Sequence, residues 1–128
     1  FADRKILLDV EALVFPALIE DFSTWAKNYE DDRFVVFESA TILEKPELAG
    51  FGDKVILVDS LFETRLERAC RRNSVPRESV YARMMNQKMM NGISCGEIEP
   101  EVDAVIHNLG TLSDLKYCVI RTIKELYD

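Results

Sequence analysis

The sequence predicts an α/β fold built around a parallel sheet, on three observations. Two short runs rich in β-branched and aromatic residues, 34–37 and 54–59, are apolar on both faces, as in the buried strands of parallel sheets. A third run of the same character covers 104–107. Segments with helical start signals follow the second and third runs, and strands that alternate with helices are typical of helices packed on a parallel sheet.

The first segment is the longest helix candidate. Its apolar residues recur at steps of three and four and so share one helical face: Ile6, Val10, Leu13, Val14, Leu18, Phe22 and Trp25. Pro16 interrupts the pattern, and because proline lacks a backbone N–H we expect two helical pieces joined at Phe15–Pro16 and finishing near Tyr29. Trp25 is expected to anchor the core on this face.

Later helices carry recognisable start signals. Ser60 with Glu63, and Thr111 with Asp114, have the spacing of a capping box, in which a hydroxyl and a carboxylate satisfy amides of the first turn. Pro76 suits the opening turn of another helix, which we expect to reach about Met90.

Composition narrows the class of protein. The chain has 128 residues, 48% of them hydrophobic and 30% charged, which fits a globular domain with a real core. Its apolar runs are far shorter than the roughly 20 residues of a membrane-spanning helix. The net charge of −7 argues against general nucleic-acid binding but allows a small anion held by local arginines. Three widely spaced cysteines and one histidine predict reduced thiols, a cytoplasmic protein and no zinc site.

Arginines are concentrated between residues 65 and 83 of this otherwise acidic chain. Arg68 and Arg72 are four residues apart and project from one side of a helix. Planar guanidinium groups can bind phosphate oxygens in a bidentate manner. The alternative is a solvated helix in which Glu63 and Glu67 are the local ion-pair partners.

The order of motifs around these arginines resembles the dephospho-coenzyme A kinases. The motifs are R-x-x-x-R-N at 68–73, V-P-R-E at 75–78, R-x-x-x-Q at 83–87, D-x-V-I-x-N at 103–108 and G-T-L-S-D-L at 110–115. Residues 37–44 are similar to the family's P-L-L-F-E segment, and Val14–Leu18 to its I-V-H-P-x-V segment. The resemblance extends from Phe1 to Leu126.

Several positions depart from the family pattern. Phe15 replaces the histidine before Pro16, Ala40 replaces a proline, and Asn73 replaces the usual aspartate. The phosphate-binding motif G-x-x-x-x-G-K-[ST] does not occur in the 128 residues. In the family that loop lies upstream of the position that Phe1 would occupy. We therefore expect this chain to be a fragment, the C-terminal two-thirds of the enzyme, and inactive by itself.

The resemblance implies a three-layer, parallel-sheet, P-loop nucleotide-kinase-like fold, incomplete here, with a helical acceptor region and a helical lid. It divides the chain into a coenzyme A-binding helical region at 1–33, core strands at 34–59, lid helices at 60–90, and the C-terminal part of the nucleotide-binding core at 91–128. The implied reaction is ATP-dependent phosphorylation of the ribose 3′-hydroxyl of dephospho-coenzyme A, the last step of coenzyme A synthesis. ATP would arrive with Mg²⁺, whose ligands lie outside this chain. No nucleic-acid or membrane partner is implied, and an exposed sheet edge would favour self-association.

Site residues follow from the same resemblance. Arg68 and Arg72 are expected to stabilise charge on the transferring phosphoryl group. The ATP-binding candidates are Arg72, Asn108 and Gly110, the last two because parallel sheets bind ligands beyond the carboxyl ends of their strands. The acceptor-binding candidates are Phe15, Pro16, Glu44, Arg77, Arg83 and Gln87.

Two other classes of protein remain open at this stage. One is a fragment of another nucleotide or nucleoside kinase with the same lid arrangement. The other is a non-catalytic module that binds coenzyme A or a nucleotide. A receiver-type signalling domain, suggested by Asp59 at a strand end, is disfavoured because the sequence lacks the acidic pair and the strand-end lysine of that class.

Overall fold

The computed structural model describes residues 3–128, apart from the side chain of Asn73, so the start of the expected acceptor region at Phe1 lies outside the described residues. The helices are α1 Arg4–Ala26, α2 Phe62–Asn73, α3 Arg77–Met85, α4 Lys88–Ser94 and α5 Leu112–Tyr127, and the strands are β1 Ile56–Asp59 and β2 Ala104–His107. The chain forms two compact units, one ending at Gly52 and the other running from Asp53 to Asp128. Among the helices of residues 3–128, none is both long and apolar enough to cross a membrane.

Helix α1 dominates the first unit and continues through Pro16, so the prediction of two helical pieces is wrong. A proline removes one hydrogen bond from the helical ladder, while the turns on either side retain theirs. The Asp3 carboxylate caps the start by accepting from the backbone N–H of Lys5 at 2.8 Å. A 3₁₀ turn, Lys27–Tyr29, extends the helix to the predicted end.

The covered face of α1 shares only Leu18 and Phe22 with the predicted one. Leu13 is 78% exposed, and Ile6, Val10 and Val14 are exposed as well. The half-buried positions form a neighbouring stripe instead: Leu7, Glu11, Phe15, Leu18, Ile19, Phe22 and Ala26. Apolar residues occupy most of the circumference of this helix, so their periodicity is compatible with either of two buried stripes. The ion pair of Glu11 with Lys45, at 2.7 Å, lies on the stripe that is covered.

Aromatic side chains hold the remainder of the first unit to α1. The ring of Phe22 lies 5.0 Å from those of both Phe37 and Phe51. Trp25 is 43% exposed and contacts Phe22 and Tyr29, so it borders this cluster and does not anchor a core as predicted.

The run 34–37 forms no strand in the described part of the chain, which contradicts the prediction of a buried strand. Val36 is 74% exposed, whereas the ring of Phe37 contacts the aromatic cluster. β-branched residues favour an extended backbone, but a strand also needs a neighbouring strand for its hydrogen bonds.

The second unit is built on β1 and β2, which pair in parallel as predicted, with Ile56 opposite Ala104 and Asp59 opposite His107. Asp103 fixes this register: its carboxylate accepts from the Val55 backbone N–H and from Lys54 Nζ, both at 2.8 Å. The hydrogen bond from Lys54 holds the pKa of Asp103 below its usual value, and the same bond raises the pKa of Lys54. The parallel α/β prediction is therefore confirmed for these two strands.

The two predicted capping boxes have opposite outcomes. Thr111 Oγ1 accepts from the Asp114 N–H at 3.2 Å, and the Asp114 carboxylate accepts from the Thr111 N–H at 2.7 Å, so this box is confirmed. The box at Ser60 is wrong, because α2 begins after Leu61 with no side-chain cap. Ser60 is buried and its hydroxyl donates to the Asn108 carbonyl at 3.0 Å, a partner 48 residues away.

Helices α2 and α3 pack around a small core of Leu66, Val80 and Met84, of which Leu66 is fully buried. Pro76 precedes α3 as predicted, but α3 ends at Met85 and not near Met90. A tight turn, in which the Lys88 N–H donates to the Asn86 carbonyl at 3.0 Å, separates α3 from α4. The Asn91 amide closes the end of α3 by donating to the Met84 carbonyl at 2.9 Å.

Candidate active site

The carboxyl ends of β1 and β2 bring four polar residues to one edge of the sheet: Asp59, Ser60, His107 and Asn108. The Asn108 backbone N–H donates to the Asp59 carbonyl at 2.7 Å, and its carbonyl accepts from Ser60. These bonds continue the parallel pairing beyond the last strand residues. Open parallel sheets bind ligands at this kind of edge.

The carboxylate of Asp59 is held in place by its neighbours, and the side chain is only 13% exposed. Ser94, at the end of α4, donates to Asp59 Oδ1 at 3.0 Å. Arg65 of α2 donates in turn to Ser94 Oγ at 3.3 Å, and His107 Nδ1 lies 3.8 Å from Asp59 Oδ2. Side chains from β1, β2, α2 and α4 therefore meet around a single carboxylate.

Sequence reasoning did not identify this cluster. The available signal was the acidic residue that ends β1, directly before the arginine-bearing helix. Ser94 and Arg65 lie 35 residues and 6 residues from Asp59 along the chain, so no local spacing relates all three. Only the packing of α4 against the strand end reveals the connection.

The predicted catalytic residues Arg68 and Arg72 both lie on α2 and are exposed. Arg68 and Arg72 lie three and seven residues after Arg65, a spacing that places all three side chains on one side of the helix. We call these three residues the arginine stripe. Glu63, the expected partner within α2, instead forms an ion pair with Arg77 of α3.

The ATP candidates Asn108 and Gly110 lie just beyond β2. Asn108 is half-buried, and within residues 3–128 its side-chain amide makes no hydrogen bond, so it is available to a ligand. Gly110 has a structural reason to be glycine, because a Cβ there would lie 2.5 Å from the Asp114 carboxylate that caps α5.

The six acceptor candidates divide equally between the two units. Phe15 is half-buried on α1, while Pro16 and Glu44 are exposed in the same unit. In the other unit Arg77 pairs with Glu63, and Arg83 Nε donates to the Ser79 carbonyl at 3.4 Å. Gln87 is exposed in the turn before α4.

Possible metal ligands are scattered. Among residues 3–128, no group of three or more histidine, cysteine, aspartate or glutamate side chains is placed to hold a metal ion. Cys70 and Cys118 are half-buried free thiols, and Cys95 is an exposed one.

A parallel strand pair with polar side chains at its carboxyl edge, and an arginine stripe on the helix that follows β1, places the chain in the α/β class of proteins. A family model for dephospho-CoA kinase matches residues 1–114. The chain therefore belongs to the dephospho-CoA kinase family.

Individual relatives agree with the family match. The dephospho-CoA kinase of Thermobifida fusca (strain YX) is 29% identical over 98% of this chain and 60% of its own length. That of Bacteroides fragilis (strain YCH46) is 30% identical over 68% of this chain and 42% of its length. A dephospho-CoA kinase of Bacillus cereus is 29% identical over 91% of this chain and 56% of its length. The chain thus spans about half the length of these relatives. No solved structure matches it.

Proposed function

We propose that the protein carrying this chain transfers the γ-phosphoryl group of ATP to the ribose 3′-hydroxyl of dephospho-CoA, the final step of coenzyme A biosynthesis. Membership of the family supports the reaction. The structural observation that supports the reaction in this chain is the arginine stripe on α2. This helix starts three residues beyond the end of β1. Phosphoryl transfer depends on positioning and on stabilising negative charge, which guanidinium groups supply.

We assign the phosphoryl-transfer and ATP-binding roles to residues of α2 and of the segment just beyond β2. Arg68 and Arg72 stabilise charge on the transferring phosphoryl group, and Arg72, Asn108 and Gly110 contact ATP. Support for Asn108 comes from its free side-chain amide at the sheet edge. Mg²⁺ would enter as part of the ATP complex, and none of these 128 residues is proposed as its ligand or as the phosphate-binding loop of the three-layer P-loop fold.

The acceptor is proposed to bind through Phe15, Pro16, Glu44, Arg77, Arg83 and Gln87. Residues 1–33 form the acceptor region, residues 60–90 form the lid, and 34–59 with 91–128 belong to the nucleotide-binding core. We place the enzyme in the cytoplasm. Residues 1–128 alone are proposed to be inactive, because their sequence contains no G-x-x-x-x-G-K-[ST] motif.

The test measures ADP release by the full-length protein, as encoded in its source reading frame, with each of three acceptor classes. Dephospho-CoA is expected to stimulate ADP release strongly, and AMP and nucleosides only weakly. A preference for AMP or a nucleoside would instead identify another nucleotide kinase. Binding of dephospho-CoA without any ADP release would identify a binding module, and either result would overturn the proposal.

A further inference from the structure

A chain of two hydrogen bonds crosses the base of the proposed lid. Arg65 Nη2 donates to Ser94 Oγ at 3.3 Å, and Ser94 Oγ donates to Asp59 Oδ1 at 3.0 Å. Asp59 immediately precedes the lid region 60–90, and Ser94 follows it by four residues. The bonds therefore connect the two places where the lid joins the rest of its unit.

The guanidinium of Arg65 contacts Phe62 as well as Ser94. Its carbon lies 5.8 Å from the centroid of the Phe62 ring, and the residue is half-buried although arginine heads usually reach solvent. Its Nε is buried and has no hydrogen-bond partner among the described residues. An arginine cannot lose its proton, and the charge of this half-buried side chain is connected to the Asp59 carboxylate through Ser94.

Arg65 is not one of the buried residues between α2 and α3. Leu66, Val80 and Met84 form the buried contact between α2 and α3. Arg65 acts at a different place, where the first turn of α2 meets α4 and the end of β1. We therefore infer that the contacts of Arg65 orient α2 relative to β1 and α4, whereas the buried core joins α2 to α3.

Arg65 shares the arginine stripe with Arg68 and Arg72, so a shift of α2 at this point moves all three side chains together. We propose that Arg65 is a positioning residue, which acts through Ser94 and Asp59 to hold α2 where Arg68 and Arg72 meet the transferring phosphoryl group. This inference rests on the proposed function.

The test uses the full-length protein with dephospho-CoA and ATP. Arg65→Met keeps a long, unbranched side chain and removes the guanidinium, while Ser94→Ala removes the bridge. Each change is expected to lower kcat by roughly 10- to 100-fold through misplacement of the stripe, with both KM values within about twofold. Combining them is expected to cost no more than the larger single effect, because both break one hydrogen-bond chain.

Arg71→Gln is the matched control, an exposed arginine of the same helix outside the hydrogen-bond chain from Arg65 to Asp59, and it is expected to leave kcat unchanged. The thermal unfolding midpoint is recorded for every variant. Wild-type kcat in Arg65→Met and Ser94→Ala, additive losses, or losses that only follow the folded fraction would overturn the inference while the proposed function stands. Absence of coenzyme A formation by the unmodified protein would overturn both. If Arg65→Met does not fold, Ser94→Ala alone decides.

Discussion

The carboxylate of Asp103 shows how one residue sets the strand pairing that creates the site. It accepts from the Val55 N–H and from Lys54 Nζ, and its own N–H donates to the Val55 carbonyl at 2.9 Å. This residue is the first of the D-x-V-I-x-N motif, whose last residue, Asn108, lies at the ligand edge. A residue with a structural task therefore determines where a candidate binding residue is placed.

Asp103→Asn is expected to destabilise the protein at neutral pH, because the charge that pairs with Lys54 is lost. The lowered pKa of Asp103 means that its contribution is present above the ordinary carboxyl pKa and is lost as pH falls through the folded-state value. The raised pKa of Lys54 means that its contribution persists until pH rises through its folded-state value. Denaturant unfolding from about pH 2 to about pH 8, a range that includes the titration of the carboxyl groups, measures the difference between Asp103→Asn and the wild type.

The control for that experiment is Glu101→Gln, which removes an exposed carboxylate two residues away with no ion pair among the described residues. It should leave the pH dependence close to that of the wild type. A gap between Asp103→Asn and the wild type that stays constant as the carboxyl groups become protonated would show that the ion pair is not its source.

The arginine stripe is tested at Arg68, which is exposed and unpaired among the described residues. Arg68→Gln in the full-length protein should lower kcat by about 10³-fold, as expected when an arginine that neutralises transition-state charge is lost. Steady-state rates with dephospho-CoA provide the measurement, and Arg71→Gln again supplies the charge-matched comparison. Equal rates for the two variants would remove Arg68 from the proposed catalytic group.

At the scale of the elements, α1 retains a proline that ordinary helix rules would place at a boundary. Pro16→Ala restores one backbone hydrogen bond and should raise the free energy of unfolding by about 1–3 kcal/mol. Because Pro16 belongs to the proposed acceptor site, the same variant should show a higher KM for dephospho-CoA. Thermal unfolding measures the change in stability, and steady-state kinetics measures the change in KM. A destabilised variant would show that the fold requires proline at position 16.

The N-terminus of α5 depends on its capping box. Thr111→Ala removes the hydroxyl that accepts from the Asp114 N–H and should cost about 1 kcal/mol of stability. Thr111→Ser retains the acceptor and should behave like the wild type. Chemical denaturation measures both, and equal losses in the two variants would assign the effect to the lost methyl group.

Elements that depend on local chemistry could be predicted from the sequence. The start of α3 after Pro76 and the Thr111 box need only neighbouring residues, and the apolar runs of β1 and β2 favour an extended backbone. The failures have nonlocal causes: Ser60 prefers a carbonyl 48 residues away, and the run 34–37 finds no pairing strand in the described chain. The Asp59 carboxylate cluster escaped prediction for the same reason.

At the scale of the whole molecule, the candidate residues fall into two compact units. The unit from Asp53 to Asp128 contains the strand edge, the arginine stripe and the Asp59 cluster. The unit ending at Gly52 contains the long helix and its aromatic cluster, with Phe15, Pro16 and Glu44. The dephospho-CoA kinase family model matches residues 1–114 and so includes residues of both units. The chain spans about half the length of its relatives in that family.

The most direct measurement is the identity of the product formed by the full-length protein from ATP and dephospho-CoA. Mass spectrometry should show stoichiometric ADP and an acceptor heavier by one phosphoryl group, and phosphorus NMR should place that phosphate on the ribose 3′-oxygen. An unchanged acceptor, or a phosphate at any other position, would contradict the assignment.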